Sequence, residues 1–165
     1  MNPAISFAEL LDWNCQSTGF WKAHLESNPA LLDLPCGIAG MATVQALVRH
    51  IWAAELIWSQ RIAALPVTDR SLLPTGPVQA LFELHLEAVQ NFRRLLSDAA
   101  YNWEEPIAMD YSWLPAEVRR PTPRKLMAHV LFHGQRHWAQ LATLVRAAGF
   151  PSGFKGDLLF SSTLE

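Results

Sequence analysis

Thr122-Pro123-Arg-Lys-Leu126-Met-Ala-His129-Val130-Leu-Phe-His133-Gly134-Gln-Arg136-His137-Trp-Ala-Gln140-Leu141-Ala-Thr-Leu144-Val-Arg-Ala-Ala148-Gly149 is the stretch on which the fold is read. Thr122 can cap a helix through its hydroxyl, and proline suits the first helical position because its missing N–H has no partner there anyway. Glycine at position 149 is a helix stop. Between these signals Leu126, Val130, His133, His137, Leu141 and Leu144 return at helical spacing and form one stripe, so a long helix from Thr122 to about Ala148 is predicted. The stripe is apolar apart from its two histidines, which places them on the core-facing side. A buried imidazole has to satisfy its ring nitrogens, and a cation is one way of doing so.

His129, His133 and His137 stand at i, i+4 and i+8, so neighbours lie about 6 Å apart along the axis and two of them can chelate one ion. His129 and His137 are about 12 Å apart and cannot share one. His133 therefore pairs with either neighbour, and spacing leaves both choices open. A third ligand has to come from another helix. Of the remaining histidines, His50 is the first candidate because it sits among apolar neighbours. His85 is the second, and His24, which reads as exposed, is the third. Glu55 lies about 140° around the helix from His50 and is a poor co-ligand. Arg136, Gln140, Glu55 and Glu87 are candidates to flank the ion.

Working outward, three more helices are predicted. Ser6 with Glu9 forms a capping box, and Ile5 with Leu10 a hydrophobic staple, opening a helix that runs to about Ser27 before Asn28-Pro29 breaks it. A second helix, from about Met41 to Leu65 and stopped by Pro66, is apolar nearly all round, the pattern of a helix buried on several sides or used in an oligomer interface. Thr75-Gly76-Pro77 announces a third, which frays near Ala100. The segment from Tyr101 to Pro121 has no helical period. Ile107 to Tyr111 and Glu117 to Arg120 are a possible short hairpin. The apolar Phe154, Leu158, Leu159 and Phe160 suggest a tail that packs. The four helices argue for an all-α four-helix bundle forming a single domain across residues 1–165.

Composition narrows the function. The 165 residues are 50% hydrophobic and 17% charged, with seven tryptophans that favour a large buried or interface surface. The net charge of -2 gives no electrostatic footprint for nucleic acid. Arg119, Arg120, Arg124 and Lys125 are the one local basic group and read as a solvated face. No apolar run approaches the roughly 18 residues of a membrane span, and the N-terminus lacks the pattern of a secretory signal, so a cytoplasmic protein is expected. Cys15 and Cys36 form no metal motif and are expected to be buried free thiols. His133-Gly-Gln-Arg-His137 has two metal-ligand positions but lacks the glutamate of a zinc protease. There is no phosphate loop and no nucleophile elbow.

The segment His129-Val-Leu-Phe-His133-Gly-Gln-Arg-His137-Trp-Ala-Gln140-Leu141 resembles the last-helix motif of the DinB-like family, the DinB/YfiT-like metalloenzymes. Leu47-Val-Arg-His50-Ile-Trp-Ala-Ala-Glu55-Leu-Ile-Trp58 is similar to that family's second helix with its single histidine. Leu11-Asp-Trp13-Asn14 and the tail from Gly149 to Phe160 resemble its beginning and end. The resemblance implies an up-down-down-up bundle, usually dimeric, in which His50, His133 and His137 bind a divalent metal, zinc, nickel or iron, with His129 outside the triad. Relatives often read His-Arg-Gly-Gln-Leu where this chain has His137-Trp138-Ala139-Gln140-Leu141. Some relatives are thiol-dependent S-transferases, and one is an isomerase that uses a low-molecular-weight thiol. The expectation is thus a metal-dependent thiol S-transferase or hydrolase acting on a small molecule, because three imidazoles leave a coordination position open. The alternative is a non-catalytic interaction module, dimerising through the tryptophan-rich second helix, with a structural metal or none.

Overall fold

The computed structural model describes residues 4–109, 115 and 120–164. Four helices carry the fold: α1 (Phe7–Ser27), α2 (Val44–Ile62), α3 (Val78–Ser97) and α4 (Pro123–Ala147). Each of α1 and α2 packs against both α3 and α4, so α1 and α2 face each other across the diagonal of an all-α bundle. The connections from α1 to α2 and from α3 to α4 both run between diagonal partners, which explains their length. Short single-turn helices at Pro29–Asp33 and Ile38–Gly40 take up the first of these connections.

The capping signals act as read. The Ser6 hydroxyl accepts from Glu9 N–H while the Glu9 carboxylate accepts from Ser6 N–H, closing the capping box. Thr122 caps α4 by accepting from Lys125 N–H, with Pro123 in the first turn. Ile5 stays 50% exposed, so the expected staple covers it only in part. Three boundaries differ from expectation. Helix α2 begins at Val44 because the Thr43 hydroxyl accepts from Ala46 N–H and fixes the first turn. It ends at Ile62, ahead of Pro66. Leu65 N–H donates to Gln60 O and Ala64 N–H to Arg61 O, the paired bonds of a Schellman stop, with Ala64 at φ 53. Gly149, at φ 86, closes α4 through the same pair of bonds without the Cβ penalty. In α3 Pro77 is the cap itself, and the helix proper starts at Val78.

The core is one cluster drawn from all four helices. Trp21, Trp52 and Trp138 are completely buried inside it. Trp21 stacks on Trp138 at 5.7 Å, and Trp52 meets Trp138 edge-on at 5.9 Å. The apolar girth of α2 is thus taken up within the chain, where most of its residues are buried. Cys15 and Cys36 are free, but half-buried rather than buried. The tail packs through Phe154, which lies 5.3 Å from Phe20 and 5.2 Å from Trp21, whereas Leu159 and Phe160 remain exposed. The expected hairpin falls largely on residues 110–114 and 116–119, outside the described residues. Its described flanks are joined by one backbone bond, from Ile107 N–H to Pro121 O. No described helix is long and apolar enough to cross a membrane.

Candidate metal centre

Helix α4 presents His133 and His137 one turn apart toward α2, and α2 presents His50 back toward them. One ring nitrogen from each of the three lies within 4.8 Å of the other two. The ring centres of His133 and His137 are 4.5 Å apart, and those of His50 lie 5.0 Å from His133 and 5.3 Å from His137. Nε2 of His50 and Nε2 of His133 approach to 3.2 Å. Two nitrogens bound to one tetrahedral ion at about 2.0–2.1 Å would themselves stand roughly 3.3 Å apart, so the spacing suits a shared cation.

His137 supplies the clearest sign. Its Nδ1 lies 2.7 Å from Gln140 Oε1, an oxygen that can only accept, so Nδ1 carries the proton and Nε2 is left with a lone pair. That Nε2 is buried and has no hydrogen-bond partner. A buried acceptor without a donor is costly, and an ion at this point would satisfy it. Gln140 thereby fixes the tautomer of a candidate ligand, the role that hydrogen-bonded neighbours play around metal-bound imidazoles.

The electrostatics keep these rings neutral, which is the form a metal requires. Burial lowers the pKa of His133 to about 3, with help from the charges that would form on His137, His50 and His129 and from Arg136. Burial likewise lowers His50, aided by His137, Arg70 and Arg136. His137 is lowered by burial, against the opposing effect of the hydrogen bond it donates to Gln140.

The remaining histidines do not join the cluster. His129 sits one turn before His133 but is exposed, with its ring edge-on to Trp58 at 6.2 Å. His24 is half-buried rather than exposed, stacked on Phe20 at 6.0 Å. His85, the second choice for a ligand on another helix, is 2% exposed and committed elsewhere, with Nδ1 2.6 Å from Glu55 Oε2. The other oxygen of Glu55 accepts from the Asn14 side-chain amide at 2.8 Å. This second polar station joins α1, α2 and α3, and α4 makes room for it. A Cβ on Gly134 would stand 3.1 Å from Asn14 Oδ1 and 3.4 Å from Glu55 Oε1. Glycine between the two α4 histidines therefore serves close approach. Of the four candidate flanking groups, Gln140 touches the centre and Arg136 influences all three rings. Glu55 is turned away, and Glu87 bonds Gln60 instead.

Two cavities open beside the centre. One, of about 300 Å³, is lined by His50 with Gln45, Arg49, Arg70 and Thr75. The other, of about 420 Å³, is lined by His133 with His129, Phe132 and Arg136. Arg70 and Gln45 carried no sequence signal, since they share no motif with the histidines.

An all-α bundle with three imidazoles gathered from two facing helices defines a class of helical proteins with a candidate metal centre. This chain belongs to the DinB family, whose sequence model matches residues 7–156. No curated protein matches it.

Proposed function

We propose that the protein is a metal-dependent enzyme in which His50, His133 and His137 hold one divalent cation. The reading is carried by the buried, donor-less Nε2 of His137 facing the close pair formed by His50 and His133. Zinc, nickel and iron all suit a set of three imidazole nitrogens. Such a cation would supply Lewis acidity toward a water or a thiol.

The chain's own residues do the rest. Gln140 orients His137 and keeps its proton on Nδ1. The bundle core behind the rings shields the centre from bulk water on one side. The two cavities give a small molecule access from the α2 side and the α4 side. Glu55 takes no part as a base, since both its oxygens are engaged by His85 and Asn14. Thiol S-transfer and hydrolysis both fit a three-ligand centre with an open position.

Elemental analysis of the purified protein tests the metal. About one ion per chain is expected, and none in His133→Ala. Full metal content in that variant overturns the ligand assignment. Turnover of low-molecular-weight thiols with electrophilic acceptors, set against turnover of activated esters, separates the two reaction types.

A further inference from the structure

The surroundings of the centre are positively charged in a chain whose net charge is -2. Neither adjoining cavity is lined by an aspartate or a glutamate. The acid of α2 that lies nearest His50 in sequence, Glu55, is spent on His85 and Asn14. Asp69, beside Arg70 in sequence, accepts from Ser71 N–H at 2.8 Å and caps the turn Arg70–Leu72. Arg70 and Arg136 are exposed, and among the described residues no ion pair engages either of them.

The position of Arg70 is built. Arg49, next to His50, donates from Nε to Pro74 O at 2.9 Å and from one terminal nitrogen to Arg70 O at 2.8 Å and Leu73 O at 3.1 Å. Its guanidinium binds only carbonyl oxygens there, so its charge is not cancelled, and it pins the segment that carries Arg70 to the rim of the smaller cavity. Gln45 holds the far side of the same rim by donating to Gly76 O at 3.1 Å. At about 300 Å³ the cavity is at the small end of ligand pockets, which run to about 1,000 Å³. A planar guanidinium fork matches a carboxylate through two parallel hydrogen bonds.

We propose that the substrate is a small carboxylate whose acid group is taken by Arg70 at the mouth of the α2-side cavity. Its reacting end reaches the three-histidine centre past His50. Arg49 is a positioning residue that holds the Arg70 segment in place. The placement of the reacting end rests on the metal reading above, while the recognition of charge stands without it.

Succinate and its uncharged diamide, succinamide, are the probes. They are titrated calorimetrically into metal-free protein, and by visible absorption into cobalt-loaded protein. Succinate should bind and succinamide should not compete. Arg70→Ala should weaken succinate about tenfold or more, the scale of a lost charge-assisted pair, with cobalt stoichiometry unchanged. Arg70→Lys should restore part of the loss, because it returns the charge without the fork. Equal binding of the two probes, or unchanged succinate binding in Arg70→Ala, overturns the proposal. So does inorganic phosphate binding more tightly than succinate in an Arg70-dependent way. If cobalt does not bind at all but metal-free protein still selects succinate through Arg70, the metal reading fails and this one survives. Stoichiometric cobalt binding without charge selectivity has the opposite meaning.

Discussion

The imidazoles of His50, His133 and His137 and the single imidazole of His85 lie in the same bundle but end in opposite protonation states. Burial alone would push His85 down. The Glu55 carboxylate, 2.6 Å away, reverses this and raises its pKa to about 9, so the ring is an imidazolium at neutral pH. At the three-histidine centre burial acts unopposed by any carboxylate, and the rings face one another. At the His85 station the ring and both oxygens of Glu55 have protein partners, and Asn14 Oδ1 is left as its one buried atom without a partner among the described residues. At the three-histidine centre Nε2 of His50 and Nε2 of His133 pair with each other, while Nε2 of His137 is a buried acceptor with nothing to donate to it. The same side chain is thus a structural cation or a ligand in waiting according to what its neighbours supply.

The largest expected effect is on the His85 station. Glu55→Gln leaves a buried imidazole without its counter-charge, and breaking such a pair costs about 3–5 kcal/mol, read from urea unfolding. The three-histidine centre should respond in the reverse sense, to addition of a cation rather than to removal of a group. A cation at about 100 times its Kd stabilises the native state by about 2.7 kcal/mol. That increment should vanish in His133→Ala and survive in Glu55→Gln. If both variants lose it, the two stations are not separate.

Next comes Gln140→Ala, which frees the His137 tautomer. Metal affinity should drop by about 10–100-fold, the usual scale for a ligand's hydrogen-bonded support. Gly134→Ala is the smallest. The new methyl presses on an Asn14 side chain already tied to Glu55, and overpacking of this kind costs about 1–3 kcal/mol, against about 1 kcal/mol gained in helix propensity. A net loss of about 1 kcal/mol by thermal or urea unfolding is expected, and a gain would mean that Asn14 can move aside.

The pH dependence of metal-free protein sharpens the contrast. His85 has a native pKa above its ordinary 6.5, so its contribution is fully present below that value and is lost as pH rises through about 9. His133 has a native pKa far below 6.5. Between about 3 and 6.5 the unfolded chain binds the extra proton, so stability falls as pH drops through that window. Unfolding free energies across pH should show both limbs, with Glu55→Gln removing the alkaline one and His133→Ala reducing the acid one.

What was legible in the sequence follows the range of the interactions. The caps at Ser6, Thr122 and Gly149 are settled within four or five residues, and they were readable from residue type. The histidine ladder was readable as a chelating pattern for the same reason. Spacing could not choose between His129 and His137, because eight residues turn a helix by about 80° and only the packing of α2 decides which of them is covered. Nor could it foresee that Glu55, facing away from His50, would find His85 thirty positions later. The stop at Ala64 escaped because alanine is a rare occupant of the left-handed cap. Arg70 escaped because it lies on a loop, where no periodicity ties a residue to a partner.

Arg49 and His50 are consecutive, and they serve different masters: one grips the carbonyls of the 70–74 segment, the other faces the α4 histidines. A single peptide link therefore couples the rim of the cavity to the centre. A guest that draws the rim inward would load the turn of α2 that carries His50, so its arrival would be felt at the ring that faces His133 and His137.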